Sequence, residues 1–250
     1  MDMIRLEHVF KSFGGREVLH DFSLEVKAGE FLTVIGRSGC GKSTMLKMIN
    51  GLHTPDQGRI LVEDEDVSKA DLIRLRRRIG YAIQNKGLFP HMTVEQNVTY
   101  VPVICGRKNK KENHQLALRL MELVGLPADM LGRYPDQLSG GQQQRVGIAR
   151  ALAMDSRILL MDEPFGALDE ITKRSMQEEI KALQKKTGVT ILFITHDIRE
   201  ALRLGDRVLV MDQGRIAQLG APEEILNQPA GAFVRELVHG EPGQAEKSIL

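Results

Sequence analysis

Apolar and polar residues alternate with period two in the first part of the chain. Ile4-Arg5-Leu6-Glu7-His8-Val9 and Phe22-Ser23-Leu24-Glu25-Val26 alternate in this way and read as half-buried strands. Gly14-Gly15 and Ala28-Gly29-Glu30 supply turns between them. Phe31-Leu32-Thr33-Val34-Ile35 is instead almost continuously apolar, as expected of a parallel strand covered on both faces. It runs into a glycine-rich loop and a helix predicted over about residues 42–50, closed by Gly51.

Helical spacing takes over in the middle third. Leu116, Ala117, Leu120, Leu123 and Val124 fall on one face of a helix predicted over residues 114–124 and ended by Gly125. Another helix is predicted to start on Ser139 as N-cap and to run through Val146, Ala149, Leu152 and Ala153. Residues 87–138 therefore read as a mostly helical insertion. The last third alternates again: strand 157–161, helix 171–186, strand 189–195, helix 197–204, and a hairpin of 207–211 with 214–219 about Asp212-Gln213. Alternation of this kind implies a mostly parallel sheet covered by helices, an α/β fold. We expect one domain over residues 1–240, comprising an N-terminal antiparallel β subdomain, the insertion at about 87–138 and the helix from Ser139 to about residue 154. Residues 241–250 read as a loosely ordered tail.

Composition narrows the function classes. Among 250 residues, 34 Lys and Arg against 33 Asp and Glu give a net charge of +1, without the basic excess of a dedicated nucleic-acid binder. The clusters Arg74, Arg76, Arg77, Arg78 and Arg107, Lys108, Lys110, Lys111 read as solvated faces or loops rather than as a polyanion site. Cys40 and Cys105 make no disulfide framework, which fits a reducing compartment. No stretch approaches the roughly 18 uninterrupted apolar residues of a membrane-spanning helix. The first residues also lack the layout of a secretory signal. The expectation is a cytoplasmic chain whose membrane role, if it has one, comes through a partner.

Chemistry enters with Gly36-Arg37-Ser38-Gly39-Cys40-Gly41-Lys42-Ser43, which has the P-loop spacing between a predicted strand and a predicted helix. Glycines let the backbone curl so that successive N–H groups point at phosphate oxygens, and the following helix adds its positive end. Lys42 reaches the β- and γ-phosphates, and the Ser43 hydroxyl ligates Mg²⁺. Cys40 reads as a small filler rather than a nucleophile. On its own the loop says only nucleoside triphosphate. A second element is Ile158-Leu159-Leu160-Met161-Asp162-Glu163-Pro164, an apolar strand ending in two carboxylates where open α/β sheets bind ligands. Asp162 is expected to hold the Mg²⁺ shell and Glu163 to position and polarise the attacking water. Phosphoryl transfer needs positioning and charge neutralisation more than covalent chemistry.

Leu138-Ser139-Gly140-Gly141-Gln142-Gln143-Gln144-Arg145 opens a helix with exposed N–H groups, a second anion-binding end. This segment resembles the signature of ATP-binding cassette proteins, and about residues 3 to 238 follow the cassette order. The resemblance implies a P-loop NTPase core and a head-to-tail dimer. In that dimer the P-loop of one copy and the signature of the other sandwich each ATP. It implies nucleotide contacts from Gly36 through Thr44 and from Ser139, Gly140, Gly141 and Gln142. Gln84 matches the glutamine that touches Mg²⁺ or the attacking water. Ala167-Leu168-Asp169 looks like the loop that crosses the dimer interface, and His196 resembles the histidine that contacts the γ-phosphate. Phe13 sits where the family places an aromatic against adenine; a core phenylalanine is the other reading. Arg37 departs from the residues more usual at its position, which offers mainly its backbone.

The resemblance implies the ATP-hydrolysing subunit of an importer at the cytoplasmic face of the membrane. Its partners would be a second copy of itself, permease subunits and, indirectly, a substrate-binding protein. Gly87-Leu88-Phe89-Pro90-His91-Met92-Thr93-Val94 and Phe165-Gly166-Ala167-Leu168-Asp169 look like the quaternary-amine osmoprotectant group (glycine betaine, choline, carnitine). These segments are shared with importers of amino acids and other small solutes. A soluble cassette protein acting on ribosomes or DNA is the competing class. The roughly hundred residues between Gly36 and Ser139 carry no sustained heptads and no basic excess, which disfavours it. A small-molecule phosphotransferase would leave the signature and His196 without a role.

Overall fold

The computed structural model describes residues 2–82, 87–154, 156–166 and 168–239. The chain divides into two compact units, residues 1–68 with 193–250, and residues 69–192. In the first unit β1 (Asp2–Phe13) and β2 (Arg16–Lys27) pair antiparallel across the Gly14–Gly15 turn. Next come β3 (Phe31–Gly36), α1 (Lys42–Ile49), β4 (Gln57–Val62) and β5 (Glu65–Asp66). The antiparallel sheet has the order β2-β1-β4-β5. Period-two alternation buries Ile4 and Leu6 of β1 and Phe22, Leu24 and Val26 of β2; a register shift between Leu6 and Val9, where His8 has φ 47°, buries Val9 as well.

The second unit opens with α2 (Leu72–Arg78) and β6 (Ile79–Ala82), followed by α3 (Val94–Ile104), α4 (Lys110–Leu123) and α5 (Gly140–Ala151). It continues with β7 (Ile158–Asp162), α6 (Glu170–Thr187) and β8 (Thr190–Ile194). β6 and β7 are parallel, with Tyr81 opposite Leu160. Every residue of β7 and β8 is buried, which explains the apolar runs at residues 158–161 and 191–194 within them. Gly80 is required because a Cβ there would lie 2.4 Å from the Ala151 carbonyl oxygen at the end of α5. The division between units falls within β8, and the chain returns to the first unit at Phe193.

There it forms α7 (Ile198–Leu204), β9 (Arg207–Asp212), β10 (Arg215–Gly220), α8 (Pro222–Asn227) and α9 (Ala232–His239). β3 and β9 run parallel, Val34 opposite Leu209, and β10 folds back antiparallel on β9. Gln213 and Gly214, at φ 43° and 76°, make the tight turn between them. Ile35, Ala201, Val208, Val210, Ile225 and Val234 form one buried apolar cluster beneath this part of the sheet. Each Val or Ile of the cluster contributes about 1.5–3 kcal/mol by leaving water. The arrangement is the expected α/β fold: an antiparallel N-terminal sheet, parallel strand pairs with helices, and a helical segment between β6 and β7.

Several element boundaries differ from the sequence expectation. α4 begins at Lys110 rather than at residue 114, because Asn109 caps it by accepting from the N–H groups of Lys111 and Glu112. The arginine run forms α2, capped by Asp71, with Leu75 as its buried residue. α5 starts as expected on Ser139 but ends at Ala151. Among the described residues no helix is long and apolar enough to cross a membrane. Residues 241–250 lie outside the described residues.

Candidate functional site

The apolar strand β3 delivers the chain to Gly36, where it turns beside β9. A Cβ on Gly36 would stand 2.1 Å from the Met211 carbonyl oxygen, so no larger residue fits. Gly41, at φ 103°, closes the loop against Val18 and Leu19 and is the N-cap of α1. It offers no side chain to cap that helix, the arrangement that receives a phosphate at a helix N-terminus. Between these glycines Arg37, Ser38 and Gly39 are exposed, while Cys40 is buried. The β9–β10 turn buttresses the loop: Gly214 N–H donates to the Cys40 carbonyl at 3.2 Å.

Lys42 is buried. Its ammonium donates to the carbonyl oxygens of Gly36 at 2.8 Å and Arg37 at 2.9 Å, with Cys40 Sγ at 3.8 Å. The positive charge is therefore seated on the loop itself. Burial pushes the Cys40 thiol up, and the nearby Lys42 only partly opposes this. Cys40 packs as a filler in its thiol form, not as a reactive thiolate. Ser43 and Thr44 follow in the first turn of α1, both half-buried.

Also in the first unit, His196 is exposed just past the end of β8. The preceding residue anchors it: Thr195 N–H donates to the Val34 carbonyl at 3.1 Å. Phe13 is 44% exposed, which removes the core reading of that residue. Its ring meets His53 edge-on at 5.2 Å, and Lys11 Nζ lies 5.1 Å from its centroid. Lys11 is in turn held by Asp56 at 2.7 Å.

In the second unit, buried Asp162 ends β7 and half-buried Glu163 follows it. Glu163 has φ 47°, in the left-handed region that costs a non-glycine residue roughly 1–2 kcal/mol. Such strain recurs where a side chain must be aimed. Tyr81 lies close enough to Asp162 to feel its charge. Burial first, and the Asp162 carboxylate second, push the phenol up to about 12. Gln84 lies outside the described residues. Among the described residues no three His, Cys, Asp or Glu gather as a metal site.

Ser139 caps α5 through a reciprocal pair of bonds: Gln142 N–H donates to Ser139 Oγ at 3.3 Å, and Ser139 N–H donates to Gln142 Oε1 at 2.9 Å. Ser139 is exposed, and Gly140 and Gly141 place only backbone in the first turn of the helix. Arg145 donates to the Gly125 carbonyl at 2.8 Å. Burial lowers its pKa and the Asp169 carboxylate raises it in part. Asp169 is the N-cap of α6, accepting from Thr172 N–H at 2.9 Å. That bond holds its carboxyl below the usual range.

Two residues that no motif flagged organise the loop before α3. Fully buried Asn97 accepts from Phe89 N–H at 2.8 Å, and its amide donates to the carbonyls of Phe89, Met92 and Thr93 at 3.1, 3.1 and 3.0 Å. Arg150 donates to the Gly87 carbonyl at 2.7 Å and lies over the Phe89 ring. An asparagine one turn into a helix whose preceding loop ends in a capping Thr was the available signal.

Comparison with known proteins bears on this arrangement. The sequence model of the ABC transporter family matches residues 19–166. The carnitine transport ATP-binding protein OpuCA of Listeria monocytogenes is 49% identical over 237 residues, covering 94% of this chain and 59% of that protein. The glycine betaine uptake system ATP-binding protein YehX of Escherichia coli is 47% identical over 234 residues, covering 94% of this chain and 76% of that protein. A solved dimer of the ATP-binding cassette MJ0796 bound to ADP and Pi superposes with a TM-score of 0.83 at 34% identity, over 88% of this chain and 99% of that one. The family model spans more than half of the chain and the relatives are 47–49% identical over 94% of it, so the chain belongs to the ABC transporter family.

Proposed function

We propose that residues 1–240 form one ATPase domain that energises an importer, with quaternary-amine osmoprotectants as the transported class. The observation that carries the nucleotide part is the seat of Lys42: a buried ammonium at a phosphate-binding loop whose following helix has no side-chain cap. The relatives named for carnitine and glycine betaine transport support the substrate class. An amino-acid or other small-solute importer is the second reading.

In this reading the backbone N–H groups from Gly36 to Thr44 and Lys42 bind the triphosphate, and Phe13 stacks on adenine. Ser43, Asp162 and Gln84 supply oxygen donors suited to Mg²⁺, a hard cation usually held by few protein ligands and the substrate phosphates. The bound ion would neutralise charge on the β- and γ-oxygens. Glu163 orients and polarises the water, and His196 and Lys42 stabilise charge on the transferred phosphoryl group. The Ser139, Gly140, Gly141 and Gln142 end of α5 completes the site of a second copy, and Asp169 lies where the copies cross. Hydrolysis would separate the copies and move permease subunits docked to them at the cytoplasmic face, with a substrate-binding protein supplying cargo.

A mixture of Lys42→Ala and Ser139→Arg chains tests the shared site. Mixed dimers assemble one site free of both substitutions, so ATP-dependent dimerisation of the mixture is expected; its absence would overturn the composite site. Uptake of labelled glycine betaine, choline and carnitine by cells lacking the chain tests the substrate class. Unchanged uptake of all three would turn the reading to another small solute.

A further inference from the structure

Position 37 is the second residue of the phosphate loop, and its side chain does not point into solvent alone. The Arg37 guanidinium donates to both carboxylate oxygens of Glu236 on α9, each at 3.1 Å. It also lies 5.1 Å from the centroid of the Phe233 ring, one turn back on the same helix. The backbone of the same residue serves the loop: the Arg37 carbonyl accepts from Lys42 Nζ at 2.9 Å and from Cys40 N–H at 3.3 Å. α9 is itself held down, with Val234 buried in the cluster that contains Ile35, the residue before Gly36. One residue thus bonds α9 with its side chain and the phosphate-binding lysine with its carbonyl.

We propose that Arg37 is a positioning residue through which α9 fixes the phosphate loop, so that Glu236 and Phe233 set nucleotide affinity without touching nucleotide. A planar guanidinium suits this task, since one of its amino groups reaches both carboxylate oxygens while the group lies over a ring. The pair is exposed and so is screened by salt. The inference rests on the nucleotide-binding reading of the loop for its effect on ATP, but not for its effect on the loop.

Glu236→Gln separates the latch from a plain field effect by sign. Deleting a carboxylate near bound phosphates would, by field alone, tighten binding. A broken latch weakens it, and we expect a roughly two- to fivefold rise in the Kd of a fluorescent ATP analogue, the scale of one exposed ion pair. The rise is expected to vanish in an Arg37→Ala background and to shrink in about 1 M salt. Phe233→Leu, which keeps an apolar side chain on α9, is expected to weaken binding in the same direction. Unchanged or tighter binding in Glu236→Gln, or equal weakening with and without Arg37, would overturn the proposal. Amide exchange of residues 37–41 in nucleotide-free protein keeps the two ideas apart. Faster exchange in Glu236→Gln supports the latch even if the parent chain binds no ATP, in which case the nucleotide reading alone falls. Unchanged exchange beside normal ATP binding by the parent sinks the latch alone.

Discussion

Thr195 places its hydroxyl between two partners, donating to the buried carboxylate of Glu200 and accepting from Asp197 N–H at 3.0 Å. Both bonds fix the backbone on either side of His196. Thr195→Val keeps the shape and deletes both. We expect it to lower unfolding free energy by about 1–3 kcal/mol, the scale of a buried polar group left without its partner. ATP turnover is expected to fall as well. Urea unfolding measures the first effect and a phosphate-release assay the second; a wild-type midpoint would contradict the role given to Thr195.

Asn97 is the corresponding device in the second unit. Asn97→Ala leaves the backbone groups of Phe89, Met92 and Thr93 without their buried partner. A loss of about 1–3 kcal/mol is expected. Limited proteolysis between residues 87 and 93 should become faster than in the parent chain. Unaltered stability and cleavage would show that the loop holds itself.

What could be read from the sequence follows from how locally each feature is encoded. β3, the phosphate loop and α1 are legible because an unbroken apolar run, glycines and a helix start are contiguous. Ser139 is legible as a cap because Gln142 lies three residues on, the spacing of a reciprocal cap. α2 is not, since its single buried residue, Leu75, leaves no periodic face among the arginines. The start of α4 is missed because its first turn is polar, and only Asn109 marks it. The grip of Arg37 on Glu236 spans 199 positions, a separation at which no pattern connects two residues. Phe13 needed its exposure before the core reading could be set aside.

Gly36 is expected to accept no side chain. Gly36→Ala drives a Cβ into the Met211 carbonyl on the neighbouring strand. Overpacking of this kind costs about 1–3 kcal/mol, and relief by shifting the loop would unseat Lys42. Lower thermal stability together with weaker binding of the fluorescent ATP analogue is the expected outcome. A variant matching the parent in both would show that the loop and β9 are less closely fitted than the geometry implies.

Tyr81 reports on the surroundings of Asp162. Its phenol is raised from an ordinary 10.0 to about 12, so the fold favours the neutral form. The associated stability is fully present below pH 10 and is lost as pH rises through about 12. Ultraviolet titration of the parent beside Tyr81→Phe should show that the substitution removes a late step near pH 12. Asp162→Asn is expected to lower that late step only in part, because burial is the larger cause. Loss of a step near pH 10 instead would contradict the placement of Tyr81.

Glu163 carries the central claim, that this chain hydrolyses ATP with a carboxylate-positioned water at the end of β7. The direct measurement is steady-state phosphate release by Glu163→Gln beside its affinity for ATP. We expect near-parental affinity with turnover lower by roughly two to four orders of magnitude, the scale of a lost general base. Turnover close to the parent's, with ATP bound equally well, would contradict the account.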